Sequence, residues 1–217
     1  SLEPPYLCLV ASGGHSHIIE VRSHTEFRVI GRTRDDAAGE CFDKCARVLG
    51  FPYPGGVHID RAAREGNPEG YALPRPTVAG SAYDMSFSGL KTAVINLAHN
   101  ARQKGESLRS ADLAASVQHR IAGMLTEKTM AAARDLGYRA IVAAGGVCAN
   151  TGVRQALTEA CDKAGYTLYM PPLSLCGDNG AMIACQGYFN YLAGMRGGPE
   201  LNAIATLSIE DIGERLK

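Results

Sequence analysis

Short runs of apolar residues, separated by turns, open the chain. Three of them, Tyr6–Ser12, His17–Val21 and Phe27–Gly31, are rich in residues that favour β-structure, and they predict a meander of three consecutive strands. The hydrophobic period then lengthens to about 3.6 residues in the segment DDAAGECFDKCARVLG (35–50), which predicts an amphipathic helix. The apolar stripe of this helix consists of Ala37, Ala38, Cys41, Phe42, Cys45 and Leu49.

Helical and strand patterns alternate in the remainder of the chain. A loop rich in Gly and Pro (66–84) and a brief strand in MSFS (85–88) interrupt them, and the last residues, LSIEDIGERLK, predict a short helix at most. The predicted helices are Val57–Arg64, Leu90–Ala101, a long helix from Ser110, Gly152–Ala164 and Ala181–Leu192, and the predicted strands are Ala140–Ala144 and Tyr166–Met170.

The order of these elements predicts the fold. Three strands and a helix, a mostly helical segment, and then strand–helix–strand–helix is the layout of one half of the ribonuclease H-like architecture shared by actin, hexokinase and Hsp70 (ASKHA). By this analogy we predict an α/β fold with a mixed five-stranded sheet. The lobe would span residues 1–195, with a helical insertion at about 60–135 and a tail over 196–217. In this architecture the first hairpin faces the phosphates of a nucleotide.

Composition narrows the class of protein. The 217 residues contain 22 Lys plus Arg and 22 Asp plus Glu, so the formal net charge is zero. The chain therefore lacks the overall positive charge that would indicate a nucleic-acid-binding protein. The seven cysteines include no C-x-x-C pair and lie in apolar segments, which is typical of reduced core thiols rather than of a zinc site. The chain contains no long apolar run and no signal peptide, so we expect a cytoplasmic protein that does not span a membrane.

Four turns combine glycine with a polar or acidic side chain: ASGGHS (11–16), PYPGGVHID (52–60), AGGVCAN (144–150) and LCGDN (175–179). Each has an ordinary explanation, either as a tight turn or as a helix N-cap, which is worth roughly 1 kcal/mol. Glycine also lets the backbone approach a ligand, and α/β proteins bind ligands where a strand end meets a helix N-terminus. One such turn leaves both interpretations open, whereas four in one chain favour a ligand site.

The histidines predict no metal site by themselves. His15 and His17 share one face of a predicted strand, but no third ligand lies at metal-binding spacing from them. The chain also lacks a Ser/His/Asp arrangement and a nucleophile elbow, so a serine or cysteine hydrolase is unsupported.

Seven motifs, in order, resemble one family. They are LVASGGHSHIIEV, DDAAGECFDKCARVLG, YPGGVHIDRAAREGNP, LPRP, SFSGLKTAV, AGGVCAN and CGDNGAMIA. They resemble the TsaD type of tRNA threonylcarbamoyltransferase, formerly called O-sialoglycoprotein endopeptidase or glycoprotease, and the resemblance covers nearly all of residues 5–195. The resemblance implies an acyltransferase that moves a threonylcarbamoyl group from threonylcarbamoyl-AMP to the exocyclic amine of the adenosine beside the tRNA anticodon.

The resemblance also implies site residues and ligands. The family's adenylate-binding positions fall on Val10, Ala11, Ser12, Gly13, Gly14, Asp43, Gly56, Asp60 and Asn150, and a metal-holding aspartate falls on Asp178. Carboxylates are acceptors that suit ribose hydroxyls, and turn amides suit a phosphate. No residue is assigned as catalytic. The implied cofactors are a divalent metal (iron or zinc) and threonylcarbamoyl-AMP or ATP/ADP, and the implied partners are tRNA, a TsaB-like paralogue and a TsaE-like ATPase.

One family feature does not occur in this sequence. Members carry a preceding domain in which an H-x-x-x-H helix supplies two further metal ligands, and no H-x-x-x-H is present here. We therefore expect this chain to be the second lobe of the enzyme, with the N-terminal lobe absent, and to be inactive alone. Three alternatives remain: a kinase-like ATP-binding enzyme of the same fold, a non-catalytic scaffold paralogue, and a peptidase, which would need a general base beside a three-ligand metal.

Overall fold

The first three strands form the meander that the hydrophobic pattern predicts. The computed structural model describes residues 2–205 and 207–211. In it, β2 (Ser16–Ser23) pairs antiparallel with both β1 (Tyr6–Ala11) and β3 (Glu26–Arg32). β1 ends one residue earlier than predicted because the amide of Ser12 donates to the carbonyl of His15 at 2.8 Å and closes the turn. The predicted pairing of the first two strands is therefore confirmed.

Two parallel strands complete the sheet. β4 (Ala140–Ala144) pairs parallel with β1, and β5 (Thr167–Tyr169), shorter than the predicted Tyr166–Met170, pairs parallel with β4. The strand order is β3-β2-β1-β4-β5, which confirms the mixed five-stranded sheet. Because β1 and β4 are parallel, their carboxyl ends lie at the same edge of the sheet.

The helices follow the predicted order with shifted ends. They are α1 (Ala38–Val48), α2 (Gly55–Ala63), α3 (Ser88–Lys104), α4 (Ser110–Leu136), α5 (Thr151–Ala164) and α6 (Gly180–Leu192). Helix α3 and all of α4 except its last residue lie within the segment 60–135, whereas the predicted strand in MSFS reduces to a single bridge between Thr33 and Met85. The turn after β4 contains a short 3-10 helix, Gly146–Ala149. Residues 209–211 form another, residues 207 and 208 of the predicted last helix are not helical, and residues 212–217 lie outside the described residues.

One face of the sheet carries the core. Leu7, Leu9 and Ile141, which alternate with partly exposed neighbours along β1 and β4, are fully buried. This alternation is what a strand with one buried face produces. The helical side chains in the same cluster include Phe42, Leu113, Ile121, Leu125, Val153 and Leu157. The sheet and helices α1, α4 and α5 therefore share one core.

Helix α6 differs from the others because none of its residues is buried. It contacts the turn between β2 and β3 through Phe189, whose ring stacks on that of His24 at 3.7 Å between centroids, and through Gln186, which donates to the carbonyl of His24. The thiol of Cys185 is exposed, so the expectation of core thiols fails at this position. The exposed apolar side chains of α6 are Met182, Ile183, Tyr188, Tyr191 and Leu192. None of the helices in the described residues is long and apolar enough to cross a membrane.

A buried carboxylate ties the loop before α3 to the end of β3. Asp84 is 4% exposed and accepts hydrogen bonds from the amide of Arg32 at 2.8 Å and from the guanidinium of Arg34. Burial of the carboxyl raises its pKa, but these hydrogen bonds outweigh burial and hold the pKa of Asp84 below its ordinary value. The ionised carboxylate is thus the form that the fold stabilises.

We expect Asp84→Ala to lower the free energy of unfolding by about 2 kcal/mol at neutral pH, because two donors lose a charged acceptor. The depressed pKa gives stability above the unfolded value near 3.9, and that stability is lost as the pH falls through the folded value. Urea unfolding at about pH 7 and about pH 2.5 should therefore show that the free energies of unfolding of the wild type and Asp84→Ala differ less in acid. Asp84→Asn, which keeps one oxygen acceptor, should fall between them. An equal difference at both pH values would contradict this account.

Candidate functional site

A cavity of about 360 Å³ opens at the edge of the sheet where β1 and β4 end. The turns that follow both strands line it, together with α1 and the start of α2. Its lining residues are Gly13, Gly39, Phe42, Asp43, Tyr53, Pro54, Gly56, Val57, Asp60, Gly146, Val147, Ala149 and Asn150. Residues from four of the predicted motifs, namely Gly13, Asp43, the pair Gly56 and Asp60, and Asn150, therefore meet around one space.

The β1–β2 turn leaves backbone amides available at the rim. Within it, the amide of His15 donates to Oγ of Ser12 at 3.1 Å, and the carbonyl of Ser12 accepts from the amide of Gly39 in α1 at 3.1 Å. The amides of Gly13 and Gly14 make no hydrogen bond with another described residue. Two adjacent amides without a protein acceptor can donate hydrogen bonds to an anion.

The other hairpin residues flank the cavity without lining it. Val10 and Ala11 are the last residues of β1, and Ala11 is fully buried. Ser12 is engaged in closing the turn, and of the five predicted hairpin positions Gly13 lines the cavity. The contribution of Val10, Ala11 and Ser12 to the site is to hold the turn in place.

Asp43 joins two helices at the cavity wall. Its Oδ1 accepts from the amide of Gly55, the first residue of α2, at 2.6 Å, where the N-cap Pro54 offers no side-chain cap. A Cβ on Gly55 would lie 2.4 Å from the Cβ of Ala46, so glycine is required for this approach of α2 to α1. The second oxygen, Oδ2, makes no hydrogen bond with another described residue and can accept from a ligand.

Asp60 and Asn150 together cap the N-terminus of α5. Asn150 Oδ1 accepts from the amide of Val153 at 3.0 Å, which confirms the expected N-cap. Asp60 Oδ1 accepts from both the amide and the hydroxyl of Thr151, at 2.8 and 2.6 Å. Sequence reasoning missed Thr151. One oxygen of Asp60 is therefore structural, and the other lies 3.4 Å from Arg64.

Hydrogen-bond acceptors and donors lie on different sides of the cavity. Asp43 and Asp60 lie on the helical side, and no Lys or Arg is among the lining residues. An anionic group would be repelled there and is instead matched by the amides of the hairpin turn, which carry no negative charge. Phe42, Val57 and Val147 supply apolar surface to the lining. A ligand with a phosphate, hydroxyl groups and a flat apolar part fits this arrangement.

Comparison with known proteins decides the family. The family model described as TsaD, tRNA N6-adenosine threonylcarbamoyltransferase, matches residues 1–185. Curated proteins of that name are 48% identical over 94% of this chain in Moorella thermoacetica and 51% identical over 92% of it in Geobacillus thermodenitrificans. The chain belongs to the TsaD family. It spans 60% and 58% of the length of these two relatives.

Solved structures support the fold independently of the TsaD sequences. The structure titled full-length HypF in the phosphate- and nucleotide-bound form superposes with a TM-score of 0.66 over 93% of this chain and 34% of its own, at 12% identity. HypF from T. kodakarensis gives 0.65 over 87% of this chain and 34% of its own, at 13% identity. At identities this low the two superpositions show the fold alone. They confirm the predicted ASKHA architecture.

The metal site that the family resemblance implies has one expected ligand in this chain, Asp178. Asp178 is exposed and lies two residues before the first residue of α6. Its position before the helix suggested an N-cap, but Asn179 takes this role: its Oδ1 accepts from the amide of Met182 at 3.1 Å. Among the described residues no three His, Cys, Asp or Glu side chains lie close enough to hold a metal. The residues present therefore do not form a complete metal site.

Proposed function

We propose that this chain is the nucleotide-binding lobe of a tRNA N6-adenosine threonylcarbamoyltransferase and that its cavity binds threonylcarbamoyl-AMP. The observation that carries the proposal is the convergence of the hairpin, α1, α2 and the turn before α5 on one cavity. The adenylate phosphate would lie at the amides of Gly13 and Gly14, and the ribose hydroxyls would donate to Asp43.

The proposed reaction needs the adenylate end of the substrate to be held and stabilised. The exocyclic amine of the tRNA adenosine attacks the carbamoyl carbonyl, a carbon–nitrogen bond forms, the bond between the acyl carbon and the phosphate oxygen breaks, and AMP leaves as the amine loses a proton. Negative charge grows on the leaving phosphate, so donors placed beforehand at that position lower the barrier. The two hairpin amides are the groups in this chain that fit that role.

A divalent metal, iron or zinc, belongs to the proposal only in part. Asp178 is the residue of this chain that would contact it, and a single carboxylate is one ligand of the three that a catalytic site usually takes from the protein. We therefore expect this chain alone not to transfer the threonylcarbamoyl group.

The remaining parts of the proposal concern the whole enzyme. tRNA would be the acceptor substrate, and a TsaB-like paralogue and a TsaE-like ATPase would be its protein partners. A cytoplasmic location would agree with tRNA modification.

Titration with ADP, followed by amide NMR, tests the binding proposal: shifts should concentrate at Gly13, Gly14, Asp43, Gly56 and Asn150.

A further inference from the structure

The side-chain amide of Asn150 is held on two sides. Its Oδ1 accepts from the backbone amide of Val153, and because a backbone N–H only donates, Nδ2 must face the other way. There Nδ2 donates to Oε1 of Gln118, in the middle of α4, at 2.8 Å. The network thus fixes the orientation of both side-chain amides. It leaves one Nδ2 hydrogen and one Oδ1 lone pair of Asn150 for a ligand.

The packing of Gly152 is a second, independent sign that the position of Gln118 is specified. A Cβ at residue 152 would lie 2.5 Å from Nε2 and 2.8 Å from Cγ of Gln118. Contacts that short do not occur, so any larger residue at position 152 would displace the Gln118 side chain. The absence of a side chain at residue 152 makes room for this amide between α4 and α5.

We propose that Gln118 is a positioning residue of the nucleotide site. It does not line the cavity that Asn150 lines, so it acts through Asn150 rather than on the ligand. By accepting one Nδ2 hydrogen, it keeps the amide in the orientation that presents the other to the adenylate. This inference rests on the proposed function, since it supposes that the cavity binds the nucleotide.

The test compares ADP affinity among variants of this chain by calorimetry. Gln118→Leu removes the acceptor at similar size and should weaken ADP binding roughly tenfold. Gln118→Glu keeps an oxygen acceptor and should bind within about twofold of the wild type. Gly152→Ala should behave like Gln118→Leu, although alanine favours a helix more than glycine does. Gln155→Leu is the control. Gln155 and Gln118 line one groove between α4 and α5, but the side chain of Gln155 donates its hydrogen bond to Glu159 rather than to Asn150.

A spectroscopic signature separates positioning from general destabilisation. The Asn150 side-chain NH₂ resonances should move in Gln118→Leu and Gly152→Ala and stay in place in Gln118→Glu and Gln155→Leu. Wild-type affinity in Gln118→Leu, or unmoved Asn150 resonances, would overturn this inference while the proposed function stands. A wild-type chain that binds no ADP would overturn the proposed function and this inference with it.

Discussion

Replacing Asn150 by alanine in a full-length enzyme that contains this lobe should reduce threonylcarbamoyl transfer at least about a hundredfold. The variant loses the amide that faces the proposed ligand, and losing a group that contacts developing charge commonly has an effect of this size. Its stability should fall by only about 1 kcal/mol, because the Asn150 cap of α5 is one of two. Rates of tRNA modification and urea unfolding would be measured on the same preparations.

Asn150→Ser separates the cap from the ligand contact. Serine is as good an N-cap as asparagine, so the stability of α5 should return, but its hydroxyl is too short to replace the amide in the cavity. Transfer should therefore stay low in Asn150→Ser. Activity that recovers together with stability would mean that Asn150 acts only as a cap, and the assignment would be wrong.

Gly145→Ala should lower the free energy of unfolding of this chain by about 3 kcal/mol or more. Gly145 follows β4 with φ of 98° and ψ of 162°, a conformation that is essentially confined to glycine. A Cβ there would also lie 2.3 Å from the carbonyl oxygen of Ala11, in the adjacent strand β1. Both costs act where the two parallel strands end, so the cavity should be distorted along with the fold.

Gly165→Ala is the matched control for this prediction. Gly165 ends α5 with φ of 69°, but no atom lies within 4 Å of the position of a Cβ there. This variant bears the conformational cost alone, about 1 kcal/mol. Equal urea midpoints for the two variants would show that the contact with Ala11 does not constrain the strand ends.

The fold could be predicted because its signals are local. The alternation in β1 and the cap at Asn150 each depend on residues close in the chain, and the structure has both. Element ends were less certain, since Ser12 belongs to the turn rather than to β1 on account of one hydrogen bond. At α6 two adjacent residues could cap the helix, and only the geometry distinguishes Asn179 from Asp178.

The contacts that build the cavity were not visible in the sequence, because they join distant segments. Asp60 binds Thr151 across 91 positions, and Gln118 binds Asn150 across 32. Within α4, Gln118 is one polar residue on a helix and carries no local signal. The motifs indicated which residues would matter through a family resemblance, whereas the physical reason that Asp43 and Asp60 keep their positions came from the structure.

The binding of an adenine nucleotide by this cavity is the central claim, and amide NMR of the ¹⁵N-labelled chain tests it most directly. Titration with ADP should shift the resonances of Gly13, Gly14, Gly56 and Asn150, and Asp43→Ala should weaken the binding. Adenosine serves as the comparison ligand and should bind more weakly, because it has no phosphate to accept from the amides of Gly13 and Gly14. Shifts that instead cluster on α4, or an Asp43→Ala variant that binds ADP as the wild type does, would contradict the account.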